Sequence, residues 1–186
     1  VQHHGTDLVM MPTHGRGPMR RLLLGSVTAK VLHDVSAAVW TAGENELRSG
    51  ARPYKNIVCA VDLGDETETV ARAAVALASS FHAGLSLVHV VEIPPPNLEV
   101  DFTAFKQDLI DAANFGFADL KNKLGIDVPH TASVAPLTAD GIRDEAIARK
   151  ADLIVVGRGR AQGGVSRIWS RLYNIVCDAP CPVLSI

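Results

Sequence analysis

Ala151-Asp152-Leu153-Ile154-Val155-Val156-Gly157-Arg158-Gly159 is the stretch from which the rest of the chain can be read. Four apolar residues in a row, Leu153 to Val156, are the pattern of a strand buried on both faces of a parallel sheet, because a strand with one wet face alternates instead. The glycines after it turn the chain where a strand hands over to a helix. The same order occurs upstream. At an offset of 145 residues Thr6-Asp7-Leu8-Val9-Met10-Met11 matches Ala151 to Val156, and Gly15-Arg16-Gly17 falls near Gly157-Arg158-Gly159. Further on, Ser36-Ala37-Ala38-Val39-Trp40 lies over Cys181-Pro182-Val183-Leu184-Ser185. Each copy reads strand, glycine loop, helix, strand. The period exceeds the ~20 to 50 residues of solenoid repeats and suits duplication of a whole domain. The expected organisation is the last third of a first domain over residues 1–42, a polar linker over 43–53 with glycine, serine and proline but no apolar periodicity, and one complete domain over 54–186. Because Val1-Gln2-His3-His4 runs at once into the first strand, the chain is expected to be a fragment of a longer tandem protein.

Within residues 54–186, further strands are expected at Ile57 to Val61, Leu85 to Val91, Thr131 to Ala135 and Pro182 to Ile186. Helical spacing joins them: Val70, Ala73, Ala74, Leu77 and Ala78 in one helix, Phe102 to Leu124 in a second whose apolar face covers the sheet, a short third capped by Asp140, and Ile168 to Cys177 in a fourth. Strands alternating with helices predict an α/β fold, a Rossmann-like five-stranded parallel sheet with right-handed crossovers and helices on both faces. Ligands of such folds bind outside the carboxyl ends of the strands, near the point where strand order reverses. That rim holds Asp62, Val90 to Glu92 and the loop from Gly157.

Composition narrows the function. The 186 residues are 47% hydrophobic, enough for a packed core, and 18 basic against 20 acidic residues give a formal charge of −2. Nothing global draws such a chain to nucleic acid or an anionic membrane, and its apolar runs are far shorter than the ~20 residues of a spanning helix. Three cysteines and no charged-then-apolar leader fit a reducing, cytoplasmic setting. Cys177 and Cys181, flanked by Pro180 and Pro182, read as a helix-to-strand turn, His89 as a buried histidine within its strand, and His3-His4 as solvated. No metal site is expected from protein ligands. There is no Ser, His and Asp motif, zinc spacing or P-loop, so no catalytic residue is named.

One loop does suggest chemistry. Pro12-Thr13-His14-Gly15-Arg16-Gly17-Pro18-Met19-Arg20-Arg21-Leu22-Leu23-Leu24-Gly25-Ser26 follows a strand and opens a helix. Glycines let backbone N–H groups approach phosphate oxygens, and a helix beginning at Gly25-Ser26 adds its positive end. The plainer alternative is that these glycines only turn the chain. In the second copy the loop keeps Gly157 and Gly159 but carries Arg160, and Ser170-Arg171 stands where the first copy has Gly25-Ser26. Side chains there obstruct a close backbone approach, while Arg158, Arg160, Arg167 and Arg171 offer charge instead. Asp62, a carboxylate ending a buried strand at the ligand rim, needs a partner, either a ligand donor or a nearby backbone N–H.

Taken together, the loop from Gly15 to Gly25-Ser26, the strand and aspartate of Ile57 to Asp62, Leu87-Val88-His89-Val90-Val91, Ala151 to Gly157, and the closing Cys181-Pro182-Val183-Leu184 resemble the universal stress protein family. Pro12 replaces the first glycine of that family's loop motif. The resemblance implies an adenine nucleotide alpha hydrolase-like fold that binds ATP in one subgroup and not in another. It also implies that Asp62 and Val90 meet adenine and sugar, and that phosphates lie on the loop and helix start. In the second domain this assigns Asp62, Val90, Gly157, Gly159, Arg160, Ser170 and Arg171 to nucleotide binding. In the first domain it assigns Gly15, Gly25 and Ser26 to an incomplete site. The expected function is a non-enzymatic stress-response regulatory module with ATP binding that is weak or absent in the degenerate second domain. The alternative is an ATP-binding enzyme with slow hydrolysis or phosphoryl transfer. An uncovered last strand is an aggregation hazard, so self-association or a pseudo-dimer is expected through Ala37 to Thr41 and Pro182 to Ile186.

Overall fold

The computed structural model of the chain describes residues 5–13, 24–43, 53–93, 103–158 and 165–186. In chain order the elements are β1 (Leu8–Pro12), α1 (Ser26–Asp34), β2 (Ala38–Ala42), β3 (Asn56–Ala60), α2 (Thr67–Phe81), β4 (Gly84–Glu92), α3 (Thr103–Leu124), β5 (His130–Ala135), α4 (Thr138–Ala148), β6 (Leu153–Val156), α5 (Val165–Asp178) and β7 (Val183–Ser185). The strands form one sheet in the order β1-β2-β7-β6-β3-β4-β5. As the sequence predicts, β7-β6-β3-β4-β5 is a parallel run of five, and all four residues of β6 are buried. β1 and β2, parallel to each other, extend it to seven across a seam where β2 meets β7 antiparallel. Among the described residues no helix is long and apolar enough to cross a membrane.

The two faces of the sheet carry separate apolar clusters. Val58, Ala60, Val88, Ile154 and Val183 pack with Ile142, Ala146, Leu172, Ile175 and Val176 of α4 and α5, and Leu24, Leu32 and Val39 from the upstream segment join that same cluster. On the opposite face Ile57, Cys59, Leu87, Leu153 and Val155 pack with Val70, Ala71, Ala74 and Ala78 of α2 and with Phe117 and Leu120 of α3. Phe105, expected on the covering face of α3, is 55% exposed.

The seam between β2 and β7 has a local two-fold. Trp40 faces Leu184 on its axis, with Val39 opposite Ser185 and Thr41 opposite Val183. Thr41 Oγ1 donates to Val183 O at 3.3 Å, and Ser185 Oγ donates to Val39 O at 3.2 Å. Exchanging the strands turns one bond into the other. The relation reaches further, because Thr13 N–H donates to Ala42 O at 2.9 Å as Arg158 N–H donates to Ile186 O at 3.0 Å. In β1 and β2 Val9 is opposite Val39, and in β6 and β7 Ile154 is opposite Val183. Val39 therefore matches Val183 and not Leu184, so the offset read from the sequence is one residue too long in the closing strand.

The capping of α4 also differs from expectation. Its N-cap is Leu137 and makes no side-chain cap, whereas Asp140 sits in the first turn and pairs with Arg143 at 2.8 Å. The cap comes from a different strand. Glu92, at the end of β4, accepts the Thr138 N–H at 2.9 Å, a contact across 46 residues that local spacing does not reveal.

Candidate functional site

A cleft of about 550 Å³ opens at the carboxyl ends of β3, β4 and β6. This is the point where the order reverses, since β4 follows β3 on one side and β6 lies on the other. Its walls are largely apolar: Val61, Val70, Val88, Val90, Leu109, Ile142, Val156 and Ile175, with Ala112 and Ala113 from α3. The polar groups are Asp62, Glu66, Thr67, His89, Glu92, Thr138 and Arg171.

Asp62 follows β3 directly. Its Oδ1 accepts the Gly64 N–H at 2.9 Å and the Thr67 hydroxyl at 3.0 Å, so the carboxylate folds the loop back on itself at the start of α2. Leu63 between them takes a left-handed backbone with φ of 60°. Both local donors go to one oxygen, and the side chain remains exposed at the cleft wall. Of the partners open to Asp62 on sequence grounds, a backbone N–H supplies one and Thr67, unremarked in the sequence, the other.

Val90 owes its position to the unequal lengths of β3 and β4. Leu87 N–H donates to Pro129 O and Ile93 N–H to Ala135 O, so the odd-numbered residues of β4 direct their backbone groups toward β5. The even-numbered ones point toward β3, and Val61 N–H donates to Val88 O at 2.9 Å. Ladder pairing with β3 ends at Ala60 opposite Val88. The next acceptor, Val61 O, lies 2.9 Å from His89 Nδ1. The Val90 N–H and C=O thus point past the end of β3 into the cleft, free of a β3 partner. Because a carbonyl only accepts, His89 Nδ1 carries a proton and donates it to Val61 O. The Val90 side chain rests on α4 at Gly141, where a Cβ would stand 2.6 and 2.8 Å from its two methyls. Gly157, at the end of β6, lines the cleft floor, and a Cβ there would lie 3.0 Å from Val70 Cγ2.

The arginines named from the sequence have separate roles where they are described. Arg171 NH2 pairs with Glu92 Oε2 at 2.7 Å and closes one end of the cleft. Arg158 donates from NH1 and NH2 to the carbonyls of Val35 and Ala37, away from the cleft, and so ties the end of β6 to the upstream segment. The partial burial of Glu92 pushes its carboxyl up, but the Thr138 hydroxyl and N–H together with the Arg171 guanidinium outweigh that and hold it below the ordinary glutamate value. Ser170 lies on α5, whereas Gly15, Gly159 and Arg160 are outside the described residues, as are His14 and the side chain of Arg167. In the upstream segment Gly25 is the N-cap of α1 and donates its N–H to Thr13 O at 2.9 Å, and Ser26 is exposed. Among the described residues no three His, Cys, Asp or Glu side chains come together to hold a metal ion.

A doubly wound α/β unit with a crevice at its switch point belongs to the Rossmann-like class of folds. The model of the universal stress protein family matches residues 1–42 and 53–186, and the chain is a member of that family. A "Universal stress protein in QAH/OAS sulfhydrylase 3′region" of Thermus aquaticus is 33% identical over 136 residues, which cover 72% of this chain and 98% of that protein. The solved structure of a functionally unknown protein from Pseudomonas aeruginosa superposes on all of this chain with a TM-score of 0.72 at 19% identity, and the chain spans 64% of its length. The universal stress protein of Archaeoglobus fulgidus in complex with dAMP has a TM-score of 0.50 at 24% identity, over 73% of this chain and 99% of that one.

Proposed function

We propose that the cleft between β3, β4 and β6 binds the adenine nucleoside portion of a nucleotide, and that the protein acts as a non-enzymatic regulatory module that reports this occupancy. The observation that carries the reading is the open backbone edge of Val90 at the end of an apolar slot. An N–H beside a C=O on one extended strand complements a purine edge, which presents acceptor and donor side by side. Val61, Val70 and Val156 offer the faces a base needs, and the Asp62 carboxylate, with Oδ1 already engaged, has Oδ2 left for a ribose hydroxyl. The dAMP complex of the Archaeoglobus relative supports the same ligand class. The matched segments on either side of residues 43–52 and the two-fold seam support a tandem reading, with the upstream copy as the closing part of a first domain.

Calorimetric titration with adenosine tests this reading. Binding is expected, and it is expected to be abolished by Ala112→Trp, which fills the cleft from an exposed position of α3 and leaves the melting temperature unchanged. No heat at millimolar adenosine, or equal binding by the variant, would refute it. Phosphate release from ATP under the same conditions would favour the slow hydrolase instead.

A further inference from the structure

We infer that Phe105 closes the mouth of the cleft over a bound nucleoside and is thus a ligand-contacting residue. The inference rests on the adenine-binding reading above and adds to it the wall that faces away from the sheet. α3 joins β4 to β5, which are parallel, so it runs against them and its first turns stand beyond their carboxyl ends, on the cleft side. Phe105, Leu109, Ala112 and Gly116 follow one another at steps of four, three and four residues, the spacing that keeps side chains on one line of a helix. The structure fixes where that line points. At its far end a Cβ on Gly116 would lie 3.1 Å from Leu63 Cδ1, next to Asp62, and in its middle Leu109 and Ala112 line the cleft. Phe105 stands one turn nearer the start of the helix, ~6 Å along the axis from Leu109, at the rim of the cleft and more than half exposed. A nucleoside with its base edge on Val90 and its ribose at Asp62 presents its outer side to this line. The exposed part of the Phe105 ring then exchanges water for the ligand.

Phe115 supplies an internal control. It lies on the same helix and is more exposed, at 78%, but it is turned about 90° away from the line of Phe105. In calorimetric titration, Phe105→Ala is expected to weaken adenosine binding about tenfold, the lower end of what a base–aromatic contact contributes, with the melting temperature unchanged. Phe115→Ala is expected to bind as the wild type does. Phe105→Trp keeps an aromatic face and is expected to retain wild-type affinity, with a change in tryptophan emission on adding adenosine larger than that of the wild type. Wild-type affinity in Phe105→Ala, or an equal loss in Phe115→Ala, would overturn the inference and leave the adenine reading standing. A loss in Phe105→Ala accompanied by a matching fall in melting temperature, or an emission change in Phe105→Trp no larger than the wild type's, would overturn it in the same way. Failure of the wild-type protein to bind adenosine would overturn both.

Discussion

Gly141 lies inside α4, where replacing glycine by alanine ordinarily stabilises a helix by about 1 kcal/mol. Here the opposite sign is expected. A Cβ at this position stands 2.6 Å from Val90 Cγ1, 2.8 Å from Val90 Cγ2 and 3.2 Å from Ala135 Cβ. Carbon atoms are at rest near ~3.5 to 4.0 Å, so Val90 must retreat by about 1 Å. It is β-branched and stiff about χ1, and at 8% exposure it has little room except toward the cleft. Overpacking of this kind costs ~1 to 3 kcal/mol. Set against the helix gain, Gly141→Ala should be destabilised by about 1 kcal/mol, a fall in melting temperature of about 2 to 4 °C for a chain of this size. Because the displaced residue is the one whose backbone edge we propose reads the ligand, adenosine affinity should fall as well. Thermal unfolding followed by circular dichroism, with calorimetry on the same sample, measures both. A rise of about 2 to 4 °C would show that the helix has room for a methyl group and would refute the packing argument.

Other consequences concern the upstream segment and the end of the cleft. Arg158→Ala removes two charge-assisted bonds to the carbonyls of Val35 and Ala37 and should cost about 2 kcal/mol in denaturant unfolding, with adenosine binding unchanged; lost binding at unchanged stability would instead assign it to the ligand. Thr41→Val and Ser185→Ala each leave a seam carbonyl without its buried hydroxyl donor. Each should cost roughly 0.5 to 1 kcal/mol, and the two costs should be equal within error if the two-fold is energetic as well as geometric. Glu92 titrates below the ordinary glutamate value of 4.5 when folded, so its contribution is complete above that pH and is lost as the pH falls through the lower folded value. The stability difference between wild type and Glu92→Gln should be constant from pH 7 to about 5 and shrink on further acidification; a difference that grows in acid would reverse the assignment.

The layers of the fold were legible because burial leaves a direct imprint on sequence. Ile57 to Val61 and Leu153 to Val156 are continuous apolar runs since helices cover both faces of their strands, and helical spacing identified α2 and most of α3. Other features depend on distant partners. The cap of α4 is Glu92, far upstream, while Asp140 beside it satisfies the local pattern and pairs with Arg143. The single-residue correction in β2 and β7 follows from reciprocal hydroxyl bonds across the seam, which similarity of apolar residues cannot register. In the cleft, Asp62 and Val90 stood out in the sequence at strand ends, but what exposes Val90 is that β3 stops at Ala60 while β4 runs on to Glu92. Gly141 gave no signal because a glycine in a helix reads as a flaw until the valine beneath it is seen.

The Val90 amide is the most direct witness to the central claim. In a nitrogen-15 heteronuclear spectrum titrated with adenosine, its resonance should move with saturation and its hydrogen exchange should slow, while the amides of Val39 and Ser185 at the seam stay fixed. A Val90 amide unmoved at millimolar adenosine, or one that moves no more than the seam residues, would contradict the account.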